Sequence, residues 1–172
     1  MKVDLGNLGF EIDNSLRNKY SRSKQIFLDK SVAEALVKAK EMLPKELNFK
    51  IKDGLRTLAE QEMIVKQTEK AFKKSHPKKW EKLLKIYTGG YEELKLKKIS
   101  YMNHRSGKAV DLTISKKGKE LNLGGVRLDK RDGINYYKEG RIAENRKLLK
   151  KVLSKTGFKV YKKEWWHWGF KG

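Results

Sequence analysis

Cysteine is absent from the 172 residues, so disulfides and thiolate metal sites are excluded, while the redox compartment stays open. Only two prolines occur, Pro44 and Pro77, and both sit where helical patterns stop or start. No run is apolar enough to span a membrane, and Met1-Lys2-Val3-Asp4 opens the chain without the apolar core of a signal peptide. The chain therefore reads as cytoplasmic, or as a secreted or envelope protein if a signal peptide has been removed. Acidic residues are scarce: 21, against 42 Lys and Arg, for a net charge of +21. The lysines are scattered rather than gathered in a stripe, and no nucleic-acid-binding motif accompanies them. A specific nucleic-acid partner is not expected, whereas salt-sensitive, non-specific contact with anionic polymers is. Internal repeats, Gly-rich phosphate loops and the His-Glu-x-x-His helix of many zinc peptidases are also missing.

Hydrophobic residues make up 38% of the chain, and four Trp, seven Tyr and six Phe argue for a packed core. The length suits one domain, 1–172. Residues 1–30 show little periodicity and read as an irregular segment laid over a core. Ser31 with Glu34 forms a capping-box pattern that starts a helix ending at Pro44. Phe49 to Lys52 alternates as a strand, and Thr57 with Glu60 forms a second capping box for a helix to about Ser75. Pro77 opens a further helix that Gly89-Gly90 breaks. Val110 to Ser115 reads as a core strand followed by a turn at Lys116-Lys117-Gly118-Lys119. Ile142 to Thr156 is amphipathic with Gly157 at its stop. Phe158–Tyr161 and Glu164–Phe170 read as a terminal hairpin. The fold class is α+β, with helices packed on a small, mainly antiparallel sheet.

Two stretches carry chemistry. In Asn103-His104-Arg105-Ser106-Gly107-Lys108-Ala109-Val110-Asp111, a histidine and an aspartate flank a glycine turn at the mouth of a core strand. A bare carboxylate is costly to bury there, and either a metal ion or backbone hydrogen bonds can offset the cost. In Glu164-Trp165-Trp166-His167 a second carboxylate and imidazole lie in the most aromatic run of the chain. Catalytic zinc usually takes three protein ligands and leaves a position for water, which a nearby carboxylate can deprotonate. His104, Asp111 and His167 would make such a set, with Glu164 as base; the alternative is that Glu164 and His167 only pair with each other under an aromatic lid. On an ideal strand Glu164 and His167, three apart, would point to opposite faces, so this site needs a bulge or a bend. His76, beside Pro77, has no second ligand nearby.

Together these stretches resemble the zinc D-alanyl-D-alanine dipeptidases within the wider group of DD- and LD-peptidases. The family's Ser-x-His-x-x-Gly-x-Ala-x-Asp is matched from Met102 to Asp111, with Met102 in place of the serine, and Glu-x-Trp-His is matched from Glu164 to His167. Asp53-Gly54-Leu55-Arg56 is similar to the family's Asp-Gly-Tyr-Arg. The resemblance implies a DD-peptidase-like zinc fold and one Zn2+ on His104, Asp111 and His167. It also implies Glu164 as the base, Arg56 as the transition-state arginine, and the small peptide D-Ala-D-Ala as substrate. A wall DD-/LD-carboxypeptidase or endopeptidase with the same zinc site is the alternative. A family aspartate that meets the substrate amine has Asp129 as its counterpart, or Asp132, since the local spacing differs by a residue.

Overall fold

Alternation of apolar and polar residues builds the sheet around one fully covered strand. The computed structural model describes residues 1–172, in the order β1 (Lys2–Asp4), β2 (Glu11–Ile12), β3 (Phe27–Asp29), α1 (Lys30–Glu41), β4 (Leu47–Asp53), α2 (Leu58–Ser75), α3 (Trp80–Thr88), β5 (Ala109–Lys116), β6 (Lys119–Glu120), α4 (Gly140–Lys155), β7 (Phe158–Val160) and β8 (His167–Phe170). The main sheet runs β2-β4-β5-β8-β7, with β6 hairpinned onto β5. Its pairings are antiparallel except for β2 with β4, so the expected architecture holds with one parallel edge. A separate ribbon pairs β1 with β3. No helix is long and apolar enough to cross a membrane.

Val110, Leu112 and Ile114 of β5 point into a core shared with Phe49 and Ile51 of β4, Trp168 of β8, and the apolar stripes of α1 and α4. Each large side chain removed from water there contributes roughly 1.5–3 kcal/mol. Period-2 geometry sends the intervening residues of β5 to the opposite face, and Asp111 is one of them. β4 would send Asp53 to the core face along with Phe49 and Ile51. A register shift between Ile51 and Asp53 inserts one extra residue, so that Ile51 pairs with Leu112 but Asp53 pairs with Asp111. The bulge thereby moves a carboxylate from the apolar face to the site face.

Helices α2 and α3 form a hairpin over a second, smaller core of Val65, Phe72, Leu83 and Leu84. The capping box of Thr57 and Glu60 is present and fixes the start of α2 immediately after Arg56. Three local expectations are corrected. Residues 1–30 contain β1, β2 and β3, strands too short for their periodicity to register. Helix α1 begins at Lys30 behind Asp29 rather than from a Ser31–Glu34 box, and no side chain caps it, because the Asp29 carboxylate is taken by Lys2 of the neighbouring strand. Helix α3 begins at Trp80, the residues from Pro77 forming a turn ahead of it.

Candidate active site

Cross-strand register assembles the centre. Asp111 on β5 pairs with His167 on β8, while Val110 and Trp168, one step along, pair on the core face. His104 comes from a short 3₁₀ turn that Asn103 caps and that closes at Gly107 with φ +74, a conformation only glycine adopts readily. Donor atoms of His104, Asp111 and His167 all lie within 4.8 Å of one another, and all three residues are buried.

Backbone carbonyls settle the tautomers, since a carbonyl only accepts. His104 Nδ1 donates to Gly54 O at 2.7 Å, and His167 Nε2 donates to Met102 O at 2.6 Å. In the neutral rings this leaves lone pairs on His104 Nε2 and His167 Nδ1, which lie 3.3 and 2.8 Å from Asp111 Oδ1. His104 Nε2 is buried without a hydrogen-bond partner. Two nitrogen lone pairs and a carboxylate converging on one point repel each other unless a proton or a metal cation lies between them, and two imidazoles with one carboxylate suit Zn2+. Asp111 responds to these neighbours: burial alone would raise its carboxyl, but His104 and His167 outweigh burial and hold it well below the usual range. His104 is pushed down by burial and by Arg56. Burial opposes the charge on His167 too, yet Asp111 holds its pKa above the ordinary value.

Gly54 makes the approach of β4 to this centre feasible. A Cβ there would lie 2.7 Å from both Ile26 Cγ2 and Phe27 O, so any larger residue would push apart the wall that presents its carbonyl to His104.

Glu164 lies not in a strand but in the turn between β7 and β8, where His167 N donates to Glu164 O at 3.3 Å. The terminal hairpin is accordingly shorter on its second side than expected, and the bend removes the parity conflict between Glu164 and His167. The Glu164 carboxyl is 6% exposed, and burial pushes its pKa up to about 8, with His167 and Asp111 acting in opposite senses. Its environment also includes the charge of Arg56.

Arg56 is anchored by Asp53, whose Oδ2 accepts from Nε at 2.8 Å and lies 2.7 Å from Nη2 in an ion pair, and Nη2 lies 3.8 Å from Asp111 Oδ2. Arg17 Nη1 takes the other oxygen of Asp53 at 2.9 Å, and the Tyr20 hydroxyl donates to Oδ2 as well. Burial would raise the fully buried Asp53 carboxyl, but Arg56 and His104 reverse this and keep it low. Sequence reading did not single out Arg17, Tyr20 or Gln61, which accepts from Arg56. The first two lie in the stretch without periodicity, and only their buried partners reveal their use.

The two candidate amine anchors part company. Asp129 is exposed, and Arg131 binds its carboxylate and holds its pKa down to about 2. Asp132 is fully buried, with Oδ1 accepting from Arg127 N and Oδ2 from Leu128 N and the Tyr87 hydroxyl. Its own carbonyl accepts from Trp165 N at 2.8 Å, beside Glu164. Asp132 thus braces the loop against the β7–β8 turn.

The fold carries a His-Asp-His donor set of a kind that suits zinc. A family profile described as Peptidase_M15, D-ala-D-ala dipeptidase, matches residues 9–172, and the chain belongs to this family. A D-alanyl-D-alanine dipeptidase of Enterococcus faecium is 34% identical over 74 residues; the match takes in 40% of this chain and only 37% of the relative's length. Two solved structures share the fold. A vancomycin-resistance D,D-pentapeptidase VanY variant in complex with Zn(II) superposes with a TM-score of 0.55 at 15% identity, over 96% of this chain and 82% of the other. VanYB in complex with D-alanine-D-alanine superposes with a TM-score of 0.57 at 14% identity, over 95% and 80%.

Proposed function

We propose that the protein hydrolyses D-Ala-D-Ala to free D-alanine. The observation that carries this reading is a buried carboxylate, Glu164, in the turn that leads into His167, which converges with His104 on Asp111. His104, Asp111 and His167 would hold the metal. Zinc, when bound, supplies positive charge that polarises the scissile carbonyl and acidifies a water molecule. Glu164 would accept the proton of the attacking water and return it to the leaving amine. Arg56, kept protonated by Asp53 against the cost of burial, would donate charge-assisted hydrogen bonds to the developing oxyanion.

Asp129 is our candidate for the contact to the substrate's free ammonium. Of the two aspartates it alone is open to solvent, and an ammonium can exchange with Arg131, whereas Asp132 is already fully engaged. Membership of the dipeptidase family supports the dipeptide as substrate.

The net charge of +21 favours a second reading, in which the same centre trims a longer peptide attached to the anionic wall. Purified zinc-loaded protein, incubated with D-Ala-D-Ala or with an N-acylated pentapeptide ending in D-Ala-D-Ala, separates the two. Release of D-alanine from the dipeptide alone, abolished by chelator and restored by zinc, is the expected result. Preferential cleavage of the pentapeptide would replace the dipeptidase reading, and chelator-resistant activity would overturn both.

A further inference from the structure

Arg56 commits two of its five N–H groups to hydrogen bonds before any substrate arrives. Nε donates to Asp53 Oδ2 and Nη1 to Gln61 Oε1 at 3.0 Å, while Nη2 stands 2.7 Å from Asp53 Oδ2 as an ion-pair contact. One N–H of Nη1 and the N–H groups of Nη2 are left for a ligand. Asp53 holds one side of the guanidinium; without a stop on the other side, the plane can swing about that ion pair.

Gln61 is built as such a stop. It lies on the second turn of α2, is 3% exposed, and its amide is fixed from behind because Nε2 donates to Thr88 O at 3.0 Å. Thr88 is itself held, its hydroxyl donating to Leu84 O at 2.7 Å and accepting from Gly90 N at 3.1 Å. The donor to Thr88 fixes which amide atom is oxygen, so Gln61 can only accept from Arg56. The start of α2 is fixed as well, by the Thr57–Glu60 box and by the Glu60 contact to Arg17 at 3.2 Å.

We propose that Gln61 is a positioning residue that aims the remaining N–H groups of Arg56 at the oxyanion, drawing its rigidity from the last turn of α3. The inference rests on the role given to Arg56 above. Gln61 touches no reacting atom, so its loss should leave zinc content and substrate affinity in place and act on turnover.

Two substitutions separate aiming from packing. Gln61→Met keeps the volume and removes the acceptor. Gln61→Glu keeps an acceptor for Nη1 but loses the donor to Thr88 and buries a charge, so it should be the less stable of the two. We expect kcat to fall about tenfold in Gln61→Met with KM little changed, since a mis-aimed donor weakens transition-state contacts more than ground-state ones. Gln61→Glu should retain more turnover than Gln61→Met despite lower stability, an inversion that a packing role cannot produce. Gln67→Met, which removes another α2 glutamine that bonds Lys19 O, is the control and should turn over normally. Independently of activity, 15N-arginine spectra should show slow rotation about the Arg56 Cζ–Nη1 bond in the wild type and faster rotation in Gln61→Met.

Equal kcat in wild type and Gln61→Met, or unchanged Nη1 rotation, would overturn the inference while leaving the Arg56 role intact, provided Arg56→Ala is crippled. Wild-type turnover in Arg56→Ala would remove the role of Arg56, and the inference with it.

Discussion

Asp53 and Asp111 stand directly opposite each other across β4 and β5, both buried, with Arg56 Nη2 within 2.7 Å of the first and 3.8 Å of the second. Two facing carboxylates in a protein interior repel unless cations separate them. Arg56 and Arg17 serve Asp53, and the metal set serves Asp111. The bulge in β4 therefore creates a pair of acids whose separate partners become the catalytic arginine and the metal centre of the proposed mechanism.

Asp53→Asn should destabilise the protein by about 3–5 kcal/mol, because the buried Arg17 and the largely covered Arg56 lose a charged acceptor. Urea unfolding checks this. A loss below about 1 kcal/mol would mean that Glu60 and water satisfy Arg17 and Arg56 unaided.

His104→Ala, Asp111→Ala and His167→Ala should each purify with sharply reduced zinc, since a three-ligand site that loses one ligand holds metal poorly. Metal analysis after gel filtration reads the result. Full occupancy in all three would remove the proposed centre.

Glu164→Gln should keep its zinc and lose at least about 100-fold in turnover, the usual scale for a missing general base. It also predicts a pH effect in chelator-treated protein. The folded pKa is raised from an ordinary 4.5 to about 8, so the folded state binds the proton more tightly than the unfolded chain between those values. Stability contributed by this proton is complete below pH 4.5 and is lost as pH rises toward 8. Replacing the group with a neutral amide removes the loss, so metal-free Glu164→Gln should melt several degrees above the wild type at pH 8 and close to it at pH 4.5. Parallel melting curves at both pH values would show that Glu164 is not buried as a neutral acid.

Asp129→Ala should slow hydrolysis of D-Ala-D-Ala far more than that of its N-acetylated analogue, because only the free dipeptide carries the ammonium. Asp132→Asn should instead lower the melting temperature, as three donors to its carboxylate lose their charged acceptor. If Asp129→Ala cleaves the free dipeptide normally and Asp132→Asn is stable but selective against it, the two roles are exchanged.

Local pattern made much of this legible. The spacing of His104, Gly107 and Asp111 around a strand entrance, the Glu164–His167 stretch and the Thr57–Glu60 box are short-range features, and folding keeps them nearly as written. The apolar alternation of β4 and β5 likewise announced two strands, and the placement of Asp111 off the core face follows from that alternation alone.

Long-range geometry decided what spacing cannot encode. The extra residue between Ile51 and Asp53 follows directly on an alternation that runs from Phe49 to Lys52, and it appears only when β4 is laid against β5. The turn that carries Glu164 depends on Leu112 N bonding to Trp166 O, a contact between residues far apart in the chain. Arg17, Tyr20 and Gln61 gained meaning only from sharing buried partners with Arg56, since an isolated arginine, tyrosine or glutamine has no periodicity to mark it. Spacing put Asp129 first and Asp132 as the fallback, and only the folded chain shows that one is exposed and the other buried. The candidate ligating residues were thus legible in the sequence alone, whereas their convergence, donor atoms and charge balance were decided by strand register and desolvation, which exist only in the folded chain.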